Sequence, residues 1–323
     1  ASWMDRDLSL AAQVILRDSG HLRAEPFKTD RVLLRVPQLA IHLNREVNEK
    51  GLLVNKQKHM PPIFTLENAD GEPVSKNLVQ ELIGEQLDVD PKNIVSWNLE
   101  CFDTQKSSLG GLNDEFIISG RLDNLTMCHA AVKALTESEF ASPQTSMIAL
   151  FDNEEIGSST RNGASSSFMR DIIQRVIDTT DTPHELQRGL ASSSCISADG
   201  AHAIHPNYPD YHDPQHAVKM NQGPVIKINA NHRYATDAFT SAMFEQLGSD
   251  VGVPVQHYIH KTDLPCGSTI GPITESGLGI PVVDAGNAML SMHSIRETAG
   301  VADHEMMVRI MQQYFLKKDL SSV

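Results

Sequence analysis

The segment "IALFDNEEIGSS" (148–159) places four polar residues directly after an apolar run. Asp152 and Asn153 are followed by Glu154 and Glu155, so adjacent carboxylates stand where a buried strand is expected to end. Neighbouring carboxylates repel each other, and an ordinary turn requires neither. If the two side chains diverge, one can bind a metal ion while the other stays free as a general base for a water molecule. The adjacent pair would be explained if Glu155 binds the metal and Glu154 abstracts the proton.

Three further polar residues follow predicted strands. Asp123 comes after "FIISGRL", Asp199 after "CISA" and His293 after "VVDAGNAML". Because ligands of open α/β sheets gather at the carboxyl ends of the strands, we expect these side chains to converge. Converging carboxylates would repel strongly unless a cation neutralised them. Mixed nitrogen and oxygen ligands favour Zn²⁺, with Mn²⁺ or Co²⁺ as substitutes.

Each of these residues also has an ordinary structural interpretation. An acidic pair after a strand is typical of a helix start, and Asp123 alone could be a helix N-cap. Asp199 in "SADGAH" could serve a turn, and a single histidine such as His293 is more often structural than a ligand. Their joint placement on successive strand ends favours the metal site.

The elements that must position these residues change in character along the chain. Residues 8–17, 22–27 and 31–36 are predicted as short strands of an antiparallel sheet. The segment "PQLAIHLNREVNE" predicts a short helix, and 76–87 predicts an amphipathic helix.

From about residue 114, strands alternate with helices, which predicts an α/β fold with a mixed, largely parallel sheet flanked by helices. The predicted strands are 147–151, buried on both faces, then 195–198, 225–229, 253–259 and 280–284. The predicted helices are one with the face Leu125, Cys128, Val132 and Leu135, then 168–177, 235–247 and 304–317, the last capped by Asp303.

Composition narrows the classes of partner. The net charge of −14, without a basic cluster, argues against nucleic acid and against an anionic membrane surface. The four cysteines are widely separated, so neither a disulfide framework nor a thiolate zinc site is indicated. With no apolar run long enough for a bilayer and no signal-peptide pattern, we expect a soluble cytoplasmic protein, with a vacuole-like compartment as the alternative.

The chain resembles the aspartyl aminopeptidase family, dodecameric dinuclear zinc peptidases that remove acidic residues from peptide N-termini. The resemblance spans nearly the whole chain in order. The matching segments are "SWMDRDLSLA", "VPQLAIHLNRE", "LGGLNDEFIISGRLDN", "LFDNEEIGS", "SADGAHAIHPNY", "GPVIKINANHRYAT", "PCGSTIGPI" and "MHSIRE".

The resemblance implies a role for each matching residue. It makes Asp123 the carboxylate that bridges two zinc ions, with Glu155 and His293 completing one metal's ligands and Asp199 belonging to the other. Glu154 is then the general base.

Two further residues take substrate-binding roles by the same resemblance. Lys227 lies on the strand that lines the specificity pocket, where its ammonium group can pair with a substrate Asp or Glu side chain. His42 matches a histidine that reaches into a neighbouring subunit's active site. Without the resemblance, a solvent-facing Lys227 and a helix-surface His42 would be the preferred interpretations.

The resemblance also implies two domains: a smaller β-rich dimerisation domain at 1–98 and a catalytic metallopeptidase domain at 99–323. The family carries a further metal-binding histidine, in a His-Thr-Asp-type segment before the "DRDL" motif. This sequence begins at Ala1, just before that motif. We therefore expect a truncated or cleaved chain that lacks the N-terminal strands of the catalytic domain.

That expectation affects the two metals differently. The metal held by Asp123, Glu155 and His293 keeps three protein ligands, which is an adequate catalytic set. The metal held by Asp199 keeps two and should bind weakly or not at all.

The sequence therefore predicts a zinc aminopeptidase for N-terminal acidic residues of peptides, assembled as a large homo-oligomer. One alternative is the same chemistry with a preference for neutral residues. Another is a catalytically silent assembly protein of the same family. A dinuclear phosphoesterase would require a phosphate-binding Arg or Gly-rich loop at strand ends, and no convincing example is present.

Overall fold

The computed structural model describes residues 1–66, 75–139, 144–179 and 184–317. The chain divides into two compact units, Ala1–Lys106 and Ser107–Val323. The division falls after Lys106 rather than after residue 98, because the last strand of the first unit stays paired as far as Asp103.

The first unit is built on a three-stranded antiparallel sheet. Its strands are β1 (Leu8–Asp18), β2 (His21–Lys28) and β3 (Ile94–Asp103), and its helices are α1 (Val47–Lys50), α2 (Lys56–His59) and α3 (Leu78–Leu87). β1 lies between β2 and β3 in the sheet. A two-residue turn joins β1 to β2, and both of its residues, Ser19 and Gly20, have positive φ, as such hairpins require. The predicted antiparallel sheet is confirmed.

Two predictions for this unit are wrong. Residues 31–36 form no strand, because Leu34 and Val36 pair only through isolated bridges to Leu8 and Met4. The segment "PQLAIHLNREVNE" is helical only from Val47 onward, since its apolar side chains remain exposed and bury no helical face.

The second unit combines helices with two mixed sheets. Its strands are β4 (Ser108–Gly110), β5 (Phe116–Ser119), β6 (Cys195–Ala198), β7 (Ala201–His202), β8 (Val225–Ile228), β9 (Gln256–Ile259), β10 (Val282–Gly286), β11 (Ala288–Leu290) and β12 (Glu297–Gly300). Its helices are α4 (Leu122–Glu137), α5 (Phe168–Ile177), α6 (Glu185–Ala191), α7 (Ala238–Asp250), α8 (Gly271–Leu278) and α9 (Val301–Leu316).

The strand order gives one sheet of order β6-β10-β8-β9 and another of order β4-β5-β12-β11-β7. β10 runs parallel to β6 and antiparallel to β8, while β8 and β9 are parallel. In the second sheet the pairs are antiparallel except β11 with β7. The mixed α/β class is confirmed, and the strands lie in two mixed sheets, each with parallel and antiparallel pairs, in place of one largely parallel sheet.

The main core of this unit lies between one sheet and three helices. α4, α7 and α9 bury side chains against β8 and β10. The fully buried members include Met127, Ile226, Phe244, Val283 and Met307. This core holds the strand ends and the first turn of α4 in fixed positions, which a polar site at those ends requires.

The predicted strand at 147–151 is not formed. The segment has no strand partner among the described residues, and Met147 and Leu150 are 38% and 51% exposed instead of buried. An extended segment without a neighbour has no ladder bonds for its backbone, so its apolar composition alone does not make it a strand.

The helix at 304–317 is confirmed as α9, but its predicted cap is wrong. Gly300 is the N-cap, whereas Asp303 lies inside the first turn and is fully buried. The Asp303 carboxylate accepts hydrogen bonds from the backbone N–H groups of Asn221 and Gly223, at 2.6 and 2.8 Å.

Over the described ranges, no helix is both long and apolar enough to cross a lipid bilayer.

A histidine pair joins α4 to α9. His129 Nδ1 and His304 Nε2 are 2.9 Å apart, and the other ring nitrogen of His304 is buried with no hydrogen-bond partner among the described residues. Burial first, and then the charges of His129 and Lys133, lower the pKa of His304, while Glu305 opposes them. The unfolded chain therefore binds this proton more readily than the folded chain, and stability is lost as the pH falls below the unfolded pKa of about 6.5.

We expect the His304→Gln variant to show a shallower fall in melting temperature between about pH 7 and about pH 5 than the wild type, because this proton-linked loss is removed. His129→Gln should flatten the curve less, since burial still acts on His304. Scanning calorimetry of the full chain at several pH values measures the slopes. Equal slopes for the wild type and His304→Gln would contradict the assignment.

Candidate metal centre and active site

Three of the residues predicted to bind metal meet in the second unit. Asp123 is the second residue of α4, Glu155 lies in a short 3₁₀ turn, and His293 lies between β11 and β12. His293 Nε2 is 3.2 Å from Asp123 Oδ2 and 3.1 Å from Glu155 Oε2. One potential ligand atom from each residue lies within 4.8 Å of the others. The sequence-based convergence of these three side chains is thus observed.

The adjacent glutamates stand on a turn instead of on a strand end. The 3₁₀ turn Glu154–Ile156 begins after Asn153, which has a φ of 60°, and ends at Gly157, which has a φ of 100°. Asn153 tolerates this left-handed backbone, and its side chain accepts a hydrogen bond from Thr160 Oγ1 at 2.9 Å. The turn presents Glu155 to His293.

A residue that the sequence interpretation missed holds two of the candidate ligands. Glu297, on β12, is 2% exposed. Its Oε2 accepts a hydrogen bond from the backbone N–H of Asp123 at 3.0 Å, and its Oε1 accepts one from His293 N at 2.7 Å. One buried carboxylate therefore fixes the backbone of both residues. Its position four residues after His293, in "MHSIRE", was the available signal.

Asp199 lies directly after β6, where it pairs with Lys227 of β8. Lys227 Nζ donates to Asp199 Oδ2 at 3.0 Å and to the carbonyl oxygen of Gly200 at 3.1 Å. Lys227 is 2% exposed, and its ammonium group lies 5.2 Å from the centre of the Tyr234 ring. The predicted specificity lysine is therefore a buried cation with a carboxylate partner.

The pKa shifts reflect crowding of negative charge. Burial first, then the charge of Asp199, raises the pKa of Asp123. Burial, the largest single effect, raises the pKa of Asp199, but the ion pair with Lys227 and the hydrogen bonds with Asp123 and Gly200 together lower it. Burial, Asp199 and Glu155 together raise the pKa of Glu154 to about 7. A carboxyl group with that pKa can both take and return a proton near neutrality.

The donor set fits a divalent cation. Two carboxylates and one imidazole are typical ligands of zinc in catalytic sites. Asp123 Oδ1 is buried and has no hydrogen-bond partner among the described residues, although an orphaned buried oxygen is costly. A cation beside this oxygen would satisfy it and offset the repulsion among the carboxylates.

His42, predicted to bind substrate, lies in the first unit and is exposed. His202, three residues after Asp199, was not predicted. Burial and then the charges of nearby cations, His260 first and Lys227 second, lower its pKa to about 4.

Comparisons with known proteins identify the family of the chain. A family model described as Aminopeptidase I zinc metalloprotease (M18) matches residues 1–315. Two proteins named probable M18 family aminopeptidase 2, from Ectopseudomonas mendocina and Pseudomonas aeruginosa strain LESB58, are each 40% identical to this chain. These alignments cover 99% of this chain and 73% of each relative.

Solved structures share the architecture. Ape4 in its complex with Nbr1 matches with a TM-score of 0.90 at 35% identity, over 97% of this chain and 63% of the Ape4 chain. The S. cerevisiae mApe1 dodecamer matches with a TM-score of 0.81 at 27% identity, over 97% of this chain and 70% of that one. The chain thus spans less than the full length of these relatives. The resemblance seen in the motifs is confirmed at the level of the family: the chain belongs to the M18 family of aminopeptidase I zinc metalloproteases.

Proposed function

We propose that this chain carries the active site of a metal-dependent aminopeptidase that removes N-terminal Asp or Glu residues from peptides. The observation that carries the proposal is the meeting of Asp123, Glu155 and His293 around one point, with Glu154 beside them. Such a cluster of ligands next to a free carboxylate is the arrangement that metal-assisted hydrolysis requires. Membership of a zinc metalloprotease family supports the same reaction.

Zinc is the proposed metal, held by Asp123, Glu155 and His293. By the resemblance to the family, Asp199 would contribute to a second ion; it lies close enough for its charge to raise the pKa of Asp123. Zinc bound at these ligands would polarise the scissile carbonyl and lower the pKa of a coordinated water toward neutrality. Glu154 would take a proton from the attacking water and return it to the leaving amine, which its pKa of about 7 permits.

Lys227 is the proposed determinant of the acidic preference. The net charge of −14 repels an acidic substrate at long range, so the attraction has to be local. Lys227 offers a buried ammonium group beside the proposed metal ligands, but that group already donates a hydrogen bond to the Asp199 carboxylate. A substrate carboxylate would therefore bind Lys227 most strongly if the Asp199 carboxylate also contacted a bound cation, because Asp199 would then compete less for the ammonium group.

Self-association is proposed for the first unit. An exposed apolar segment, defined here as residues 39–66, surrounds His42 and leaves large side chains in solvent. Its exposed members are Leu39, Ile41, Leu43, Leu53, Ile63 and Leu66. An accumulation of large exposed apolar side chains in one segment favours an interaction site. The dodecamer named for mApe1 supports a similar assembly, in which His42 would reach a neighbouring subunit's site.

We expect Glu297→Gln to weaken metal affinity about 10- to 100-fold, because a Gln side chain cannot accept both backbone hydrogen bonds through its single carbonyl oxygen. Chelator-competition titration measures the affinity without relying on turnover. Glu115→Gln is the matched control, since Glu115 also accepts a backbone hydrogen bond, from Asn113 N at 2.8 Å. Unchanged affinity in Glu297→Gln would show that this carboxylate does not organise a metal site.

We expect Glu154→Gln to lower kcat about 10²- to 10⁴-fold while metal binding is retained, because only the general base is lost. Turnover of N-terminal amino-acid amides and metal content per subunit are measured on the same preparation. Asp152→Asn, an exposed acidic residue of the same segment, is the control. A metal-loaded wild type without turnover on any amide would favour the assembly-protein alternative.

We expect Lys227→Met to lower kcat/KM about a hundredfold for Asp and Glu amides and much less for neutral amides, because only the acidic side chain loses an ionic partner. Steady-state kinetics on both substrate classes test this expectation. An equal loss on both would assign Lys227 to support of Asp199 alone and refute its role in specificity.

A further inference from the structure

Asp284 is a fully buried carboxylate in the middle of β10. Its Oδ1 accepts hydrogen bonds from Ser197 Oγ and Thr269 Oγ1, both at 2.7 Å, and its Oδ2 accepts one from Ala235 N at 2.6 Å. Burying a carboxylate is costly unless such donors surround it. These donors come from three segments that are distant in sequence, so Asp284 ties those segments to the sheet.

The first of these segments carries Tyr234, whose ring lies over the Lys227 ammonium group. Ala235 directly follows Tyr234, and its N–H is held by Asp284. Thr236 is held from the same residue, because its Oγ1 accepts a hydrogen bond from Asp284 N at 2.9 Å. Two consecutive anchors therefore fix the backbone immediately after the tyrosine.

The second segment supports the same tyrosine from its hydroxyl end. Thr269 is bound by Asp284, and its backbone N–H donates to the carbonyl oxygen of Arg233 at 3.4 Å. Three residues before Thr269, Cys266 Sγ lies 3.5 Å from the Tyr234 hydroxyl oxygen. Asp284 thus holds both segments that enclose Tyr234.

The third segment reaches Lys227 from its other side. Ser197 lies two residues before Asp199, the carboxylate that accepts a hydrogen bond from Lys227 Nζ. Asp284 is therefore connected to the segment of Tyr234, whose ring lies over the ammonium group, and to β6, which ends just before Asp199, the ionic partner of Lys227.

The Asp284 carboxylate has little freedom to move. Gly271, the first residue of α8, packs so closely that a Cβ atom there would overlap the carboxylate. The negative charge of Asp284 also acts on its surroundings, since burial and then that charge raise the pKa of Cys195 to about 12. The carboxylate is a fixed, charged anchor.

We propose that Asp284 is a positioning residue that sets the place of Tyr234 and, through it, of the Lys227 ammonium group, and thereby the preference for an acidic substrate side chain. The consequence for specificity rests on the proposed aminopeptidase function, whereas the positioning of Tyr234 does not. A merely structural role would lower stability and leave both the substrate preference and the packing around Tyr234 unchanged.

The Asp284→Asn variant tests the proposal, because it keeps the shape of the side chain and removes its charge and one acceptor oxygen. We expect the ratio of kcat/KM for acidic over neutral amides to fall about tenfold, mainly through KM for the acidic amide, because a misplaced ammonium group binds that side chain less well. Steady-state kinetics of the metal-loaded full chain measure this ratio.

A second readout requires no catalysis. Alkylation of Cys266 by iodoacetamide, followed by peptide mass spectrometry, should become about fivefold faster in Asp284→Asn, because loss of the anchor opens local structure around the Tyr234 contact. Asp303→Asn is the matched control, since it removes another fully buried carboxylate that accepts backbone hydrogen bonds. Its Cys266 labelling rate and substrate ratio should equal those of the wild type.

Thr269→Val serves if Asp284→Asn does not fold, because it removes a single hydroxyl donor and keeps the charge of Asp284. It should raise the labelling rate of Cys266 in the same direction. Labelling equal to that of the wild type in the folded variants would overturn the proposal. If labelling rises but the wild type hydrolyses no amide, the proposed function fails and the positioning role stands.

Discussion

Mutual repulsion among the clustered carboxylates is the constraint on which the site depends. Asp123, Asp199, Glu154 and Glu155 act on one another, and burial or neighbouring charge raises the pKa of Asp123 and of Glu154. Lys227 donates a hydrogen bond to Asp199 and lowers the pKa of that residue. The charges of Lys227 and His293 also act on Glu154, but its pKa stays raised to about 7, so a divalent ion is the natural complement of the cluster.

Two further carboxylates hold segments of this region in place through hydrogen bonds from backbone N–H groups, and neither is proposed as a metal ligand. Glu297 accepts hydrogen bonds from the backbone of Asp123 and His293, and Asp284 accepts them from Ala235 and two hydroxyl groups. Each lies on a strand of a different sheet and is almost completely buried. Because N–H groups of loops have no ladder partner of their own, a carboxylate on a rigid strand can fix a loop while the loop satisfies the carboxylate. The same arrangement therefore orders the candidate metal ligands and the surroundings of the ammonium group.

Much of the site could be predicted because its residues follow strong local patterns. The helix at 168–177 appears with the expected bounds, and the strand 195–198 ends just before Asp199. Sequence patterns mispredict a segment when its structure depends on residues that are distant in sequence. The apolar composition of 147–151 predicts a buried strand, but the structure gives this segment no strand partner among the described residues. Likewise, the local sequence around Lys227 contains no sign that its partner is Asp199, a carboxylate that follows another strand.

The acidity of the whole chain bears on how selectivity can arise. A protein of net charge −14 gains nothing from long-range steering of an acidic peptide, and screening limits such steering to about 8 Å at physiological salt. Selectivity must then come from one cation at short range in a buried setting, where charge interactions are strongest. A single buried ammonium group can serve a substrate carboxylate only if its position is fixed, since Lys227 Nζ already lies 3.0 Å from Asp199 Oδ2 and a small displacement would change how it is shared. The rigid surroundings of Lys227, and not the number of positive charges, would therefore be the physical basis of the proposed acidic preference.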